Sequence, residues 1–208
     1  MELTQRLRMW ADELHSIADE GITYRGDDAY TRHRMDRVLR IAAELYGLQD
    51  VRDAVEIERL YREPPAHLTP YVAGEGAVFN GAGEVLLVQR ADDGLWALPG
   101  GAFEVGETAA EGACREVHEE TGVAVEPISL VGVYDSRRCS SRASTHLYHL
   151  VFLCRRLDAS AQPGPSNETL DAGWFAESSL PPLSPCHALR IPDAFRHHHG
   201  TLRHAVFH

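Results

Sequence analysis

A chain of 208 residues, 44% hydrophobic and 25% charged, suits one ordinary domain plus a smaller appendage; two large domains and a wholly disordered polymer are excluded. The formal net charge is −11, and residues 63–126, with 2 Arg against 12 acids, carry nearly all of it. Such an excess repels nucleic acid and attracts divalent cations, and the absence of lysine excludes lysine Schiff bases and Walker-type phosphate lysines.

No apolar run approaches the roughly 20 residues of a membrane span, and the first six residues lack the basic-then-apolar layout of an export signal. A cytoplasmic protein without a membrane partner is expected. Cys114, Cys139, Cys154 and Cys186 are spaced by 25, 15 and 32 residues. That spacing suggests neither a zinc site nor a redox pair, so reduced thiols are expected.

Residues 2–19 read as an amphipathic helix, because Leu3, Leu7, Trp10, Leu14 and Ile17 recur at spacings of 3 and 4 and Gly21 offers a stop. A second helix is expected over Asp28–Leu45, closed by Gly47, and a third over Val51–Tyr61. Pro64, Pro65 and Pro70 then mark a boundary. The pattern changes to strands at Val72–Phe79 and Glu84–Gln89, joined by a hairpin turn at Asn80–Gly83. A helix over 108–121 and strands near Val123–Tyr134, His146–Arg156 and Leu170–Ala176 follow. Beyond Pro182 the chain is proline- and histidine-rich with little periodicity, so 186–208 reads as a loose tail. His197-His198-His199 is read as part of that tail, since adjacent side chains point apart.

The chemistry sits in residues 101–123. Thr108 and Glu111 form a capping box and Gly122 a stop signal. Ala110, Ala113, Cys114, Val117 and Thr121 make the packed face, and Glu116, Glu119 and Glu120 gather on the flank beside it. Three like charges on neighbouring turns destabilise a helix. Clustered carboxylates suit a hard cation that leaves positions for water and phosphate oxygens.

The segment matches Gly-x5-Glu-x7-Arg-Glu-U-x-Glu-Glu-x-Gly-U, U being aliphatic, at Gly101, Glu107, Arg115, Glu116, Val117, Glu119, Glu120, Gly122 and Val123. It resembles the Nudix box, the signature of the Nudix hydrolases. The Leu98-Pro99-Gly100-Gly101 loop and the strand with Trp174-Phe175 also look like that family, and the likeness covers about residues 70–182. The helical front, Val133-Tyr134-Asp135 and Leu180-Pro181-Pro182-Leu183 look like a Nudix subgroup that hydrolyses nucleoside diphosphates linked to another group, typically CDP-choline or ADP-ribose.

The resemblance implies an α/β/α sandwich with a mixed sheet and a catalytic helix over 70–185, after a small helical domain over 1–64. It implies Mg2+ or Mn2+ held by Glu116, Glu119 and Glu120, with the Gly100 carbonyl as a further ligand. Arg115 would pair with Glu107 and hold helix to loop, while Gly101, Glu107 and Gly122 would be structural. The general base stays open between a box glutamate and Glu168, the loop acid before the last strand; Asp135 and Asp158 are the few competitors. Tyr134, Arg137 and Phe103 are candidate substrate contacts, as are Arg138 and Arg142 and the aromatics Tyr71, Phe79, Trp96 and Tyr148. Triphosphates, dinucleotides, RNA 5′ ends and a non-catalytic nucleotide-sugar sensor remain alternatives. The acidity argues against RNA, the intact box against a sensor. A homodimer formed partly through the front helices is expected, because their apolar stripe needs burial.

Overall fold

The computed structural model describes residues 2–25, 28–63, 69–138 and 146–208; Cys139, Arg142 and the Pro64-Pro65 boundary lie outside them. The chain divides into two units, Met1–Leu68 with Glu104–Gly106, and Thr69–Phe103 with Glu107–His208.

The first unit contains α1 (Leu3–Arg25), α2 (Ala29–Gly47) and α3 (Ala54–Tyr61). Asp28 caps α2 by accepting from the Thr31 amide at 2.9 Å, and Asp53 caps α3 by accepting from Glu56 at 2.9 Å. The expected stop at Gly21 is corrected, since α1 runs on to Arg25. Gly21 serves packing instead: a Cβ there would lie 2.5 Å from Met35 Sδ on α2. Small residues do most of the burying, with Ala11, Ala18, Ala42 and Ala43 sealed beside Leu39. The predicted stripe is therefore only partly covered within this unit; Leu7 and Leu14 are half-buried, whereas Leu3, Trp10 and Ile17 are exposed. His15 stacks on Tyr61 at 3.8 Å and ties α1 to α3.

The second unit is the α/β body. Its strands are β1 (Tyr71–Val78), β2 (Val85–Arg90), β3 (Trp96–Ala97), β4 (Gly100–Ala102), β5 (Val125–Asp135), β6 (Leu147–Arg156), β7 (Thr169–Phe175) and β8 (Val206–Phe207), with helices α4 (Ala109–Thr121) and α5 (His187–His198). A five-stranded mixed sheet has the order β4-β1-β6-β5-β8, and a three-stranded one β3-β2-β7. β1 is an inner strand: it runs parallel to β6 and antiparallel to β4, pairing Glu75 with both Val151 and Gly100.

Strand alternation sorts side chains to two cores. Ala77, Val85 and Leu87 join Val131, Val151, Ile191, Ala194 and Phe195 on the α5 side. Val78 and Leu86 join Val117, Val123 and Val125 on the α4 side.

Three expectations are corrected here. The turn at Asn80–Gly83 does form, with Asn80 Oδ1 accepting from the Ala82 and Glu84 amides, yet the strands it joins do not continue as a hairpin ladder. β1 and β2 lie in different sheets and meet only at the Phe79–Val85 bridge. The loose tail is instead α5 and β8. Pro192 breaks the sequence pattern, but Ile191, Ala194 and Phe195 are sealed in the core, and His198 stacks on Phe79 at 4.1 Å. Finally, Cys186 is disulfide-bonded rather than reduced; spacing along the chain carries no information on spatial neighbours. Cys114 and Cys154 are free thiols. No helix among the described residues is long and apolar enough to cross a membrane.

Candidate active site

α4 carries the predicted capping box, Thr108 with Glu111, and ends at Gly122 in the left-handed conformation, φ 75°. Its packed face includes Ala113, Val117 and Thr121. Glu116 is buried, Glu120 half-buried and Glu119 exposed along the adjoining flank.

Arg115 ties this helix to the preceding loop. It grips Glu107 through two parallel bonds, Nε to Oε2 at 3.0 Å and Nη2 to Oε1 at 2.8 Å. The same guanidinium donates to Glu116 Oε1 at 2.9 Å, Glu119 Oε2 at 2.8 Å and the Ala102 carbonyl at 3.1 Å. Such a fork fixes direction as well as distance. A second tie runs from the Gly100 amide to Glu120 Oε2 at 2.8 Å. Gly101 makes room for the Glu116 carboxylate, which a Cβ would meet at 2.8–2.9 Å.

Burial pushes Glu120 up to about 7, with the charges of Glu116 and Glu168 pushing the same way and the Gly100 amide opposing. Burial likewise raises Glu116, helped by Glu119 and Glu168 and opposed by Arg115. Glu168 is thus brought within electrostatic reach of the helix acids, though it lies 48 residues beyond Glu120, just before β7. The Thr169 hydroxyl, donating to the Glu120 carbonyl at 3.2 Å, anchors that loop to the end of α4.

The donor set is all oxygen, half-sheltered and mutually repelling, which suits a hard divalent cation. Among the described residues no three His, Cys, Asp or Glu groups already enclose a metal position. An open set of this kind fits a cation that keeps positions for water and phosphate rather than a closed structural site.

Beside Gly100 and Gly101 opens a cavity of about 590 Å³, within the usual range for a small ligand. Glu75, Arg90, Asp92, Asp93, His149, Ser184, His187 and Arg190 line it. Tyr134, Phe103 and Arg137 do not. Tyr134 is sealed in the core and its hydroxyl donates to Asp193 at 3.2 Å. Phe103 fills the space left by two glycines, where a Cβ at Gly74 or Gly112 would strike its ring. Arg137 is exposed, 3.7 Å from Asp135. All three stand at packing or surface positions outside that lining. Among the other aromatics, Phe79 and Trp96 pack on the core, whereas Tyr71 and Tyr148 are exposed outside the cavity lining. Asp135 and Asp158 are engaged in local turns with Arg137 and Ser160.

Sequence reasoning missed Glu75, His149, His187 and Arg190. One signal was present: Gly74-Glu75-Gly76 places a carboxylate inside an otherwise apolar strand, and a charge there needs a buried partner.

The NUDIX domain model matches residues 72–195, and the model described as UDP-X-like, N-terminal oligomerisation domain matches residues 5–61. The chain belongs to the Nudix family and is a Nudix pyrophosphohydrolase. It is 34% identical over 176 residues to the Bacillus subtilis protein named "Putative ADP-ribose pyrophosphatase YjhB", covering 84% of this chain and 83% of that one. It is also 34% identical over 162 residues to the ADP-ribose pyrophosphatase of Methanocaldococcus jannaschii, covering 76% and 92%. The crystal structure of a UDP-X diphosphatase superposes with a TM-score of 0.62 at 25% identity, over 98% of both chains.

Proposed function

We propose that the protein hydrolyses the pyrophosphate bond of a nucleoside diphosphate joined to a second organic group, of the ADP-ribose, UDP-X or CDP-choline kind, in a reaction that requires Mg2+ or Mn2+. The observation that carries this reading is the acidic flank of α4, tied through Glu120 to Gly100 at the rim of the 590 Å³ cavity.

In this proposal Glu116, Glu119, Glu120 and the Gly100 carbonyl hold the cation. When bound, it neutralises phosphate charge and makes a water more acidic. Glu168 takes the proton of the attacking water at a carboxylate oxygen. Water adds to phosphorus and the bridging P–O bond breaks, leaving two phosphate monoesters. Arg115 keeps helix and loop in register while this happens. The half-covered stripe of α1 supports a homodimer formed through the front helices, in keeping with the description of the matching N-terminal model.

The test is product release by purified protein with Mg2+ or Mn2+. The panel is ADP-ribose, UDP-glucose, CDP-choline, a dinucleoside polyphosphate, a deoxynucleoside triphosphate and a triphosphorylated RNA. Turnover of a diphosphate conjugate that needs metal and vanishes in Glu120→Gln is expected. Silence on every conjugate, or preference for the triphosphate or RNA, overturns the reading.

A further inference from the structure

The cavity next to the acidic helix has a built polar floor that the reaction above does not use. Glu75 is among its lining residues, 4% exposed, in a strand otherwise made of small and apolar residues. Arg190 of α5, 2% exposed, pairs with Glu75 Oε1. His149 Nδ1 of β6 lies 3.1 Å from the same oxygen. His187 Nδ1 accepts from the Leu98 amide at 3.3 Å and stands 3.9 Å from Glu75 Oε2. Glu75 Oε2 and Arg190 Nε are sealed from solvent without a hydrogen-bond partner of their own.

These contacts fix the chemistry of both imidazoles. With Nδ1–H turned to Glu75, Nε2 is the remaining polar atom of His149, and in the neutral ring it accepts. With Nδ1 accepting from a backbone amide, His187 must carry its proton on Nε2, and so it donates. Both residues line the cavity. One therefore brings an acceptor and the other a donor to the same space.

The charges of the lining are already matched. Arg190 is paired with Glu75, and Arg90 grips Asp92 through Nε at 2.9 Å and Nη2 at 2.6 Å. Asp93 accepts from Leu95 and Ser184. Among the described lining residues there are two arginines against three carboxylates, so no cation is left over for another phosphate.

We propose that His149 and His187, aligned by Glu75 and the Leu98 amide, determine specificity by reading a neutral donor–acceptor edge on a group joined to the diphosphate, a nucleobase or a set of sugar hydroxyls, and that the cavity excludes a further phosphate. This rests on the proposed function and names what the same site selects. His149 and His187 touch the ligand; Glu75 is a positioning residue that acts through His149.

The experiment is steady-state kinetics on the full-length protein with Mg2+. ADP-, GDP- and UDP-glucose vary the base at constant sugar, ADP-glucose and ADP-ribose vary the sugar at constant base, and ATP adds a phosphate. The variants are His149→Asn and His149→Ala. Asparagine keeps an amide N–H in the place of Nδ1, preserving the Glu75 contact while removing the reach of Nε2. The wild type is expected to discriminate within one series and to use ATP poorly. Both variants should flatten that ratio of kcat/KM by about ten-fold or more, chiefly through KM. Flattening in the base series assigns the pair to the nucleobase, and in the sugar series to the hydroxyls. A wild-type ratio in His149→Asn, an equal loss on every substrate, a flat wild type or efficient ATP turnover overturns the inference alone. Wild-type silence on every diphosphate conjugate overturns the functional reading and the inference with it.

Discussion

The Gly100 amide donates to Glu120 Oε2 at 2.8 Å, so the carboxylate that faces Glu116 and Glu168 also sets the register between α4 and the loop at the cavity rim. Position and charge can be separated there. In Glu120→Gln the amide oxygen can still accept from Gly100, while the half-buried charge and its repulsion from two neighbours disappear. Thermal stability is expected to hold within about 1 kcal/mol or rise, while turnover falls by at least ~100-fold. Melting curves and product release on one preparation decide it; retained turnover removes Glu120 from the chemistry.

The two glycines of the loop differ in what surrounds them. A Cβ at Gly100 would lie 2.2 Å from the Gly74 carbonyl oxygen and 2.7 Å from Glu75 Cα, backbone atoms of the inner strand β1 that cannot step aside. Gly100→Ala is expected to cost about 2–3 kcal/mol by overpacking. The three atoms nearest a Cβ at Gly101 all belong to the carboxylate end of Glu116. Gly101→Ala should keep most of the stability and lose activity, because the displaced group belongs to the proposed metal set. Denaturant midpoints with kinetics separate the two outcomes, and equal loss of stability in both would contradict the distinction.

Arg115 joins Glu107, Ala102, Glu116 and Glu119 through one planar group. A lysine keeps the charge but not the fork. Arg115→Lys is expected to lose about 1–2 kcal/mol and most turnover. A double-mutant cycle with Glu107→Gln should show coupling of about 1 kcal/mol or more. Additive single effects would mean that the pair does not act as a unit.

What the sequence made legible follows from how local each signal is. α4 is announced by neighbours in sequence, Thr108 with Glu111 at one end and Gly122 at the other. The strand cores follow from alternation over a few residues, as at Val85, Leu86 and Leu87. The acids of the α4 flank lie one turn apart, so the helical period alone gathers them. What stayed hidden depends on distant pairing. Nothing local says that β1 and β2 diverge into different sheets, or that the segment after Pro192 seals a core. Glu75, His149 and Arg190 meet across 115 residues of chain; Glu75 stands out as a carboxylate in an apolar strand, but nothing local names His149 and Arg190 as its partners.

The same buried cluster predicts acid lability. Burial holds His187 down to about 4 from its ordinary 6.5, so between these values the unfolded chain takes up a proton that the folded one refuses. Stability present above pH 6.5 is therefore lost as the pH falls toward 4. Arg190 and the two histidines overcome the burial of Glu75 and lower it from 4.5 to about 2, so its contribution is full above 4.5 and is lost on further acidification. The two windows adjoin. A fall of about 2–3 kcal/mol between pH 6.5 and 4 is expected for the wild type, and a flatter profile for His187→Gln. Denaturant titrations at four pH values check it. A parallel profile in the variant would assign the lability elsewhere.

α1 leaves Leu3 67%, Trp10 42% and Ile17 48% exposed within its own unit, although their spacing places them on one stripe with the half-buried Leu7 and Leu14. The close approach of α1 and α2 runs through alanines and Gly21, so the larger side chains are spare apolar area that burial against another surface would stabilise by about 25 cal/mol per Å². A second copy of the same helix is a suitable surface, because a two-fold interface needs only one self-complementary patch. The wild type is expected to be a dimer by light scattering at micromolar concentration. Trp10→Glu combined with Ile17→Glu should give a monomer whose helical circular dichroism is unchanged, since neither side chain is sealed inside the unit. A monomeric wild type, or a dimer indifferent to both charges, places the contact away from α1.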